Sequence, residues 1–141
     1  MPIRPLRTIV AGQTLLTVSR GTTVTDAALR MREVNKGAVL VVEGTRLVGI
    51  FTERDVLFRV VAAKRDPAVT TVESVMTKDP QTIHPDQPFV EALRMMHEGR
   101  YRHLPVVEHG RPLGMVSSRN AMAPELMQLR EDLDLLDVDR E

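Results

Sequence analysis

Two stretches of the chain place hydroxyl, cationic and acidic or amide side chains at the same spacing. Gly49–Asp55 reads GIFTERD and Gly114–Asn120 reads GMVSSRN. A run that leaves a strand and opens a helix presents free backbone N–H groups and the positive end of the helix dipole, which suits a phosphate. In the first stretch, the Asp55 carboxylate can accept hydrogen bonds from both hydroxyls of a ribose, and Arg54 adds a cation. These residues therefore predict a ribonucleotide site.

The same spacing also describes the start of a helix that binds nothing. Thr52 followed by Asp55 is a good N-cap with an acidic residue in the first turn, and that pair stabilises a helix without a ligand. One residue can serve both roles, so the motif alone leaves both interpretations open.

The two motifs belong to a longer internal repeat. Residues 17–55 align without a gap with residues 82–120, and ten of the 39 aligned pairs are identical. The chain is therefore a duplicated unit of about 60 residues.

In both copies the spacing of the apolar residues predicts the same order of strands and helices. A brief strand (TLLTV; PQTIH) precedes a helix (VTDAALRMREVNK; PFVEALRMMHEGR), then two apolar runs with hairpin signals, then a second helix (ERDVLFRVVAAKR; SRNAMAPELMQLREDLDLL). The first helix of each copy is predicted to bury one stripe: Val24, Ala28 and Met31, matched by Phe89, Leu93 and Met96. Gly37 is predicted to end the first of these helices.

The predicted fold class is α/β (α+β), with two β-α-β-β-α repeats. A lone repeat would expose one sheet face, so the copies are expected to pack sheet to sheet with pseudo-two-fold symmetry. The predicted boundaries are residues 1–66 for the first repeat with an N-terminal segment, 67–80 for a connector with a helical turn at 72–76, 81–124 for the second repeat, and 125–141 for an acidic C-terminal helix.

Composition narrows the function classes. The net charge is zero, which argues against binding nucleic acid or an anionic membrane, because both need clustered positive charge. The absence of cysteine excludes disulfides and thiolate metal sites, and no apolar run reaches the ~20 residues that span a bilayer; a soluble, cytoplasmic protein is expected. The four histidines, at 84, 97, 103 and 109, lack the close pairs of a zinc site, so no metal is predicted. No nucleophile and base stand together, so no catalytic residue is predicted.

The order of these segments resembles a tandem pair of CBS domains, or Bateman module. The resemblance runs from about Val10 to Ala121 and rests on VMTKDPQTIHPD, EALRMMHEGRYRHLPVVEHGRPLGMVS and the twice-used motif. It implies reversible binding of an adenine-containing ligand, with AMP favoured and ATP, ADP, NAD or S-adenosylmethionine as alternatives, without a required metal. Ligand occupancy would bias an unidentified partner protein, and the module would form a homodimer. The rival interpretations are a ligand-free homodimerisation or assembly module and, less favoured, a nucleotide-hydrolysing enzyme.

The resemblance also implies two ligand clefts between the repeats. The first would use Thr52, Arg54, Asp55, Pro80, Gln81, Tyr101, Arg102 and His103. The second would use Leu15, Leu16, Lys36, Gly37, Ala38, Ser117, Arg119 and Asn120. The second cleft is expected to bind more weakly, because Asn120 stands where the acid is usual.

Two further groups of apolar residues have structural interpretations. Four methionines are expected to fill the core: Met31, Met95, Met96 and Met115. The tail carries a helical seam of apolar residues flanked by acids: Met122, Leu126, Leu129, Leu133 and Leu136. This seam is expected either to pack on its own domain or to form a dimer contact.

Overall fold

A computed structural model of the chain describes residues 4–139. The chain divides into two compact units. The first-repeat unit comprises residues 15–81 and the hairpin turn 109–112, and the second-repeat unit comprises residues 4–14, 82–108 and 113–139. The N-terminal segment, which sequence analysis grouped with the first repeat, thus packs in the unit built from the second.

The helices alternate with short strands along the chain. The α-helices are α1 (Leu6–Val10), α2 (Val24–Val34), α3 (Glu53–Asp55), α4 (Val72–Val75), α5 (Phe89–Gly99) and α6 (Ala123–Asp139). The strands are β1 (Thr17–Ser19), β2 (Ala38–Glu43), β3 (Arg46–Thr52), β4 (Thr77–Lys78), β5 (His103–Glu108) and β6 (Arg111–Ser117). A π-helical segment (Val56–Val61) follows α3, and a 3-10 turn (Ser118–Asn120) follows β6. The predicted fold class, two repeats of mixed α/β type, is confirmed.

The first-repeat unit is built on a four-stranded sheet in the order β1-β2-β3-β4. Strand β1 runs parallel to β2, whereas β2 and β3 form an antiparallel hairpin that pairs Ala38 with Thr52. Gly44 allows the tight turn because its φ is +63°. The core of this unit consists of apolar side chains from the sheet, α2, α4 and the π segment: Val18, Val24, Ala27, Met31, Val39, Val41, Phe51, Val60, Val72, Val75 and Met76.

The second-repeat unit repeats this plan with fewer paired strands. Strands β5 and β6 form a two-stranded sheet, and Ile83 forms a parallel bridge to Val106 where the first repeat has β1. Helix α1 adds two buried side chains, Leu6 and Val10, to the second core. That core otherwise consists of Ile83, Phe89, Ala92, Leu93, Met96, Leu104, Val106 and Val116.

The predicted buried stripes are largely confirmed. All three stripe residues of α5 are buried, as are Val24 and Met31 of α2. Ala28 is the exception, because the centre of the buried face falls on Ala27, which is fully covered. Of the four methionines, Met31 and Met96 are buried and Met95 packs partly buried against the second core.

The predicted end of the first helix is wrong by two residues. Asn35, not Gly37, takes the left-handed conformation (φ 54°, ψ 49°), and its N–H donates to the carbonyls of Arg32 and Met31. Arg100 takes the same conformation after α5. Asn tolerates this region because its short polar side chain can bond locally. Gly37 lies beside the exposed Glu53 side chain, whose carboxylate would be 2.9 Å from an added Cβ at this position.

The second helix of each repeat departs from the predicted regular helix. In the first repeat, α3 passes directly into the π segment. In the second repeat, the predicted single helix divides into the 3-10 turn and α6. Pro124 lies in the first turn of α6. Proline is tolerated there because the N–H groups of a first helical turn have no intrahelical acceptor.

An ion pair joins the tail helix to Arg4, in the segment that leads into α1. Arg4 donates through Nε to Glu125 Oε2 at 3.1 Å, through Nη2 to Glu125 Oε1, and through Nη2 to the Asn120 carbonyl at 2.9 Å. The Met122 N–H donates to Glu125 Oε1 at 3.0 Å. Burial would raise the pKa of Glu125, but the hydrogen bonds from Arg4 and Met122 and the charge of Arg4 together lower it below its usual value.

Glu125→Gln is expected to lower the free energy of unfolding at neutral pH by about 1–3 kcal/mol, because the charge-assisted bonds to Arg4 are lost. The lowered pKa means that this contribution is complete above the unfolded-state pKa of about 4.5 and is lost as the pH falls through the folded-state pKa. Denaturant unfolding of the unsubstituted chain and of Glu125→Gln, from pH 7 to pH 3, measures the difference between their free energies of unfolding. The other carboxylates are common to both proteins, so their contributions cancel in this difference. The difference should shrink below pH 4.5, and a difference that grows on acidification would contradict the assignment.

The apolar seam of α6 is only partly covered. Leu129 packs against the second core, whereas Leu126 is 49% exposed and Leu136 is 38% exposed. Both interpretations of the seam therefore find support: its centre packs on its own unit, and its edges stay uncovered. Arg140 and Glu141, at the end of the predicted acidic helix, lie outside the described residues. None of the helices within residues 4–139 combines the length and apolarity of a bilayer span.

Candidate functional site

The first motif forms a complete capping box. The Thr52 N–H donates to Asp55 Oδ2 at 3.0 Å, and the Asp55 N–H donates to Thr52 Oγ1 at 3.3 Å. The Thr52 hydroxyl also lies 3.2 Å from Asp55 Oδ2. The helix start predicted from the sequence is thus confirmed, and it occupies one oxygen of the carboxylate.

The other oxygen of Asp55 faces a cation. Asp55 Oδ1 lies 3.6 Å from Arg59 Nε, and Asp55 as a whole is only 6% exposed. Arg59 Nη1 donates to the carbonyls of Val75 and Met76, at 3.2 and 2.9 Å. Arg59 therefore ties the carboxylate to the connector. A ligand hydroxyl reaching Asp55 would have Oδ1 as its acceptor, since Oδ2 serves the cap.

Arg54 is held beside the capping box by an aromatic ring. Its guanidinium carbon lies 5.4 Å from the centroid of Phe58, four residues further along. A cation in this position is attracted by the ring face. Arg54 is exposed, so its remaining N–H groups can meet an anion from solvent.

The second motif forms the same box with an amide. The Ser117 N–H donates to Asn120 Oδ1 at 2.8 Å, and the Ser117 hydroxyl lies 3.4 Å from the same oxygen. The oxygen of Asn120 is therefore committed to the cap. The amide nitrogen can only donate, which agrees with the expected weaker ribose binding of this motif. Arg119 is exposed.

The hairpin of the first repeat brings together residues for which the family resemblance implies different clefts. Ala38 pairs with Thr52 because β2 begins opposite the end of β3. The Glu53 N–H donates to the Gly37 carbonyl at 2.9 Å. Lys36 is exposed beside them. One end of this hairpin thus carries the capping box of the first cleft and the loop 36–38 of the second.

Pro80 and Gln81 lie toward the other end of β3. Strand β4 runs antiparallel to β3, pairing Lys78 with Gly49, and the Asp79 N–H donates to the Val48 carbonyl at 3.2 Å. At about 3.3 Å per residue, Val48 and Thr52 are roughly 13 Å apart along the strand. A ligand that touches both Asp55 and the backbone near Pro80 must therefore extend along this strand.

Leu15 and Leu16 precede β1 in the first-repeat unit. Leu16 is partly buried, and its carbonyl accepts the Leu40 N–H at 3.2 Å. Leu15 is 38% exposed. Their backbone is therefore fixed on the edge of the sheet while Leu15 keeps an apolar contact surface.

The three residues that precede the apolar run of β5 belong to the second-repeat unit. Tyr101 packs partly buried against the second core, and burial, together with the charge of Glu98, raises the pKa of its hydroxyl. Arg102 is exposed, and the half-buried His103 begins β5. The structure thus gives this segment one solvent-facing cation beside a fixed aromatic ring.

Sequence reasoning missed a cluster of charged side chains in the second-repeat unit. Within residues 4–139, His84, Asp86 and Glu108 offer ligand atoms that all lie within 4.8 Å of one another. Arg7 Nη2 lies 3.1 Å from Asp86 and 2.8 Å from Glu108. The Asp86 N–H donates to His84 Nδ1 at 3.1 Å, and His84 Nε2 lies 3.4 Å from Glu108 Oε2. A guanidinium thus satisfies the carboxylates where a metal cation would bind.

The histidines at 97 and 109 lie at the surface. His97 is exposed on α5, and His109 is exposed in the turn between β5 and β6. His84 lies in a group with two acids, and Glu108 is distant from it in sequence, so no local spacing could have indicated this group.

Comparison with known proteins agrees with the repeat. The profile of the CBS domain matches residues 9–62 and 72–125. A CBS domain-containing protein of Arabidopsis thaliana is 44% identical over 104 residues, covering 73% of this chain. The chain spans only 19% of that relative's length.

Solved structures show the same fold. A CBS domain protein from Pyrobaculum aerophilum, complexed with AMP, superposes with a TM-score of 0.81 at 21% identity, covering 91% of this chain and 99% of that one. The CBS domain pair of protein MJ0100, in complex with 5′-methylthioadenosine and S-adenosyl-L-methionine, gives a TM-score of 0.75 at 26% identity, covering 84% and 93%. With its repeat, its paired capping boxes and these matches, the chain belongs to the CBS domain family.

Proposed function

We propose that this chain is a regulatory module that binds an adenine-containing nucleotide with residues of both repeats and signals its presence to a partner protein. The observation that carries the proposal is the Asp55 carboxylate: it is fixed by the capping box and Arg59, yet only Oδ2 is committed to the helix. An acceptor held this rigidly can bind a ribose hydroxyl without further loss of side-chain freedom.

Similar proteins support this class of ligand. One structure of similar fold contains AMP, and another contains S-adenosyl-L-methionine and 5′-methylthioadenosine. All three molecules carry an adenosine group, so the shared feature is the ribose and base rather than the phosphate. We propose AMP as the preferred ligand, because Arg54 and Arg102 offer exposed cations for a phosphate; ATP, ADP and NAD are the alternatives.

The two proposed clefts offer a ligand different sets of contacts. The first cleft has the carboxylate of Asp55, the cations Arg54 and Arg102, and contacts from Thr52, Pro80, Gln81, Tyr101 and His103. The second has Lys36 and Arg119 as cations and an amide at Asn120, with Leu15, Leu16, Gly37, Ala38 and Ser117 as its other contacts. The first cleft is therefore proposed as the tighter site. The module needs no metal and performs no catalysis in this proposal.

AMP at 100 times its dissociation constant is expected to raise the free energy of unfolding by about 2.7 kcal/mol. Thermal unfolding with AMP, ADP, ATP, NAD and S-adenosylmethionine, each against a matched inosine or guanosine compound where one exists, measures the effect and its base selectivity. A product assay on the same samples excludes hydrolysis as the cause. If no adenine compound shifts the unfolding temperature, the assembly module becomes the better interpretation.

The assembly interpretation has its own support in the structure. Phe58 is 57% exposed and Val61 is 63% exposed on the π segment, and an uncovered apolar face of this kind commonly marks an interaction surface. We propose that the module is a homodimer in either case, so the nucleotide titration and not the oligomeric state separates the two functions.

A further inference from the structure

Arg59 makes contacts on two sides within the first-repeat unit. Its Nε lies 3.6 Å from Asp55 Oδ1, and its Nη1 donates to the carbonyls of Val75 and Met76, at 3.2 and 2.9 Å. These contacts are called the Arg59 bridge. One side of the bridge is the proposed acceptor of a ribose hydroxyl. The other side is the end of α4, where the connector continues into β4.

The carbonyl side of the bridge completes a helix end. The last carbonyls of a helix have no intrahelical donor, and a cation near them is favourable. The four residues of α4 read VESV and include no basic residue. Val75 and Met76 are both buried, so water has little access to this end. Arg59 therefore supplies, from a distant part of the chain, the donors that α4 lacks in its own sequence.

The carboxylate side of the bridge is the looser one. A distance of 3.6 Å exceeds that of a hydrogen bond, so Asp55 Oδ1 attracts Arg59 by charge and can still accept a hydrogen bond. The Asp55 side chain is only 8% exposed, whereas the Arg59 side chain is 51% exposed. A ligand hydroxyl that reaches Oδ1 must therefore take space beside the guanidinium. Of the two groups Arg59 is the one free to move, because the capping box holds Asp55.

The second repeat lacks both members of this ion pair. At the offset of 65 residues, Asn120 aligns with Asp55 and Pro124 aligns with Arg59. Neither aligned residue carries a charge, although the second repeat keeps its capping box. A helix start of this kind therefore does not need the arginine. The Arg59 bridge accompanies the carboxylate, and so the proposed tighter site, rather than the cap.

We propose that the Arg59 bridge transmits nucleotide occupancy from Asp55 to the connector. Without a ligand the bridge is closed. A ribose hydroxyl that donates to Asp55 Oδ1 takes the place of the guanidinium, and the end of α4 then loses the hydrogen bonds from Arg59. This inference rests on the proposed function and names the first step of its signal. Because binding and bridge opening are linked, any change that opens the bridge also favours the ligand.

Adenosine binding tests this linkage. Arg59→Met removes the charge and the donors but keeps a long, unbranched side chain. Adenosine is expected to bind Arg59→Met at least about threefold more tightly than the unsubstituted chain, because a closed bridge lowers the fraction of molecules that can bind. Adenosine is the probe because it has no phosphate, so a lost attraction between Arg59 and a phosphate cannot mask the gain. Isothermal titration showing equal or weaker adenosine binding would overturn the proposal.

Hydrogen exchange tests the link to α4 without any ligand. The Met76 N–H donates to the Val72 carbonyl at 2.8 Å and so reports on the end of this helix. Its exchange, measured by NMR, is expected to be at least about threefold faster in Arg59→Met and in Asp55→Asn. The double variant should exchange no faster than the faster single variant, since both substitutions remove one link.

Two controls accompany the exchange measurement. The Leu40 N–H donates to the Leu16 carbonyl within the sheet, and the ratio of the Met76 rate to the Leu40 rate removes changes in global stability. Arg30→Met is the matched variant, because Arg30 is also exposed and donates to a backbone carbonyl, that of Thr17 at 3.1 Å. This variant should leave the ratio unchanged.

Saturating AMP completes the test. It is expected to speed exchange at Met76 relative to Leu40 in the unsubstituted chain, and to have no such effect in Arg59→Met. AMP that binds without speeding Met76, an unchanged ratio in Asp55→Asn, or additive effects in the double variant would each overturn the bridge while leaving the nucleotide site intact. If no adenine compound shifts the unfolding temperature, the proposed function fails instead, and the ligand-free comparison still decides whether Arg59 links Asp55 to α4.

Discussion

Replacing Asp55 with alanine is expected to weaken adenine-nucleotide binding by about 100-fold, whereas Asn120→Ala should weaken it by less than about threefold. Each hydrogen bond from a ribose hydroxyl to a carboxylate is worth about 1.5–3 kcal/mol, and 1.4 kcal/mol is a factor of ten in affinity. The Asn120 oxygen already accepts a hydrogen bond from the Ser117 N–H, and the Ser117 hydroxyl lies near the same oxygen. Removing this amide therefore takes little hydrogen-bond acceptance away from a ligand. Isothermal titration with the tightest ligand of the nucleotide series measures both changes.

Asp55→Ala also removes the helix cap, and a matched variant is needed to separate the two effects. Asp55→Asn supplies that control, because Asn120 forms the same box with an amide oxygen. Asp55→Asn should keep the free energy of unfolding within about 1 kcal/mol of the unsubstituted chain, since capping by Asn and Asp is of similar strength. It should still lose most of the nucleotide affinity. Equal losses at Asp55 and Asn120, or none at either, would show that the ranking of the two clefts is wrong.

Phe89→Ala is expected to lower the free energy of unfolding by about 3–5 kcal/mol, the typical cost of deleting a buried aromatic ring and leaving a cavity. Phe89 is completely covered and begins α5, and the guanidinium of Arg4 lies 5.4 Å from its ring centroid. The Phe89 N–H donates to the Arg4 carbonyl at 2.9 Å. The ring therefore joins α5 to the N-terminal segment, through the shared core with Leu6 of α1 and through the cation of Arg4.

Phe89→Leu is the matched control, because it keeps much of the apolar volume and removes the ring face. It should cost clearly less than Phe89→Ala, and the remaining loss includes the contact with Arg4. Denaturant unfolding at one protein concentration measures both. An alanine variant within about 1 kcal/mol of the unsubstituted chain would mean that α1 does not depend on this ring.

Much of the fold could be predicted because its signals are local and occur twice. The apolar period of α2 and α5 matches a helix buried on one side, and the paired apolar runs around EGT and EHG match hairpins. The helix cap at Thr52 and Asp55 was equally predictable, since a hydroxyl and an acid three residues apart satisfy each other's backbone groups. These elements need no distant partner for their definition.

The features that were missed all depend on distant contacts. The π segment reads VLFRVV, which has no proline or glycine to mark a change of helix type. Its Arg59 reaches the carbonyls of Val75 and Met76, far along the chain. Strand β4 exists because Thr77 and Lys78 pair with β3, and two residues give no period to recognise.

The candidate site was only partly accessible from the sequence for the same reason. The order of residues places Asp55 at a helix start and Arg59 four residues later, the spacing of a helical ion pair. It could not reveal that Arg59 also donates to the carbonyls of Val75 and Met76. Nor could it show that Arg7 links Asp86 with Glu108. The contact between α1 and the second core likewise joins segments that are far apart in the chain, so the N-terminal segment was grouped with its neighbour in sequence.

The paired capping boxes have a consequence for how such a duplicated chain can evolve. The helix start uses one side-chain oxygen, Oδ2 of Asp55 in one repeat and Oδ1 of Asn120 in the other. Aspartate and asparagine both supply that atom, and only aspartate adds a negative charge. After duplication of an ancestral half-gene, a single codon change at this position can therefore alter which ligand one half recognises while the fold of that half is kept. The two halves can then diverge in binding chemistry before they diverge in structure.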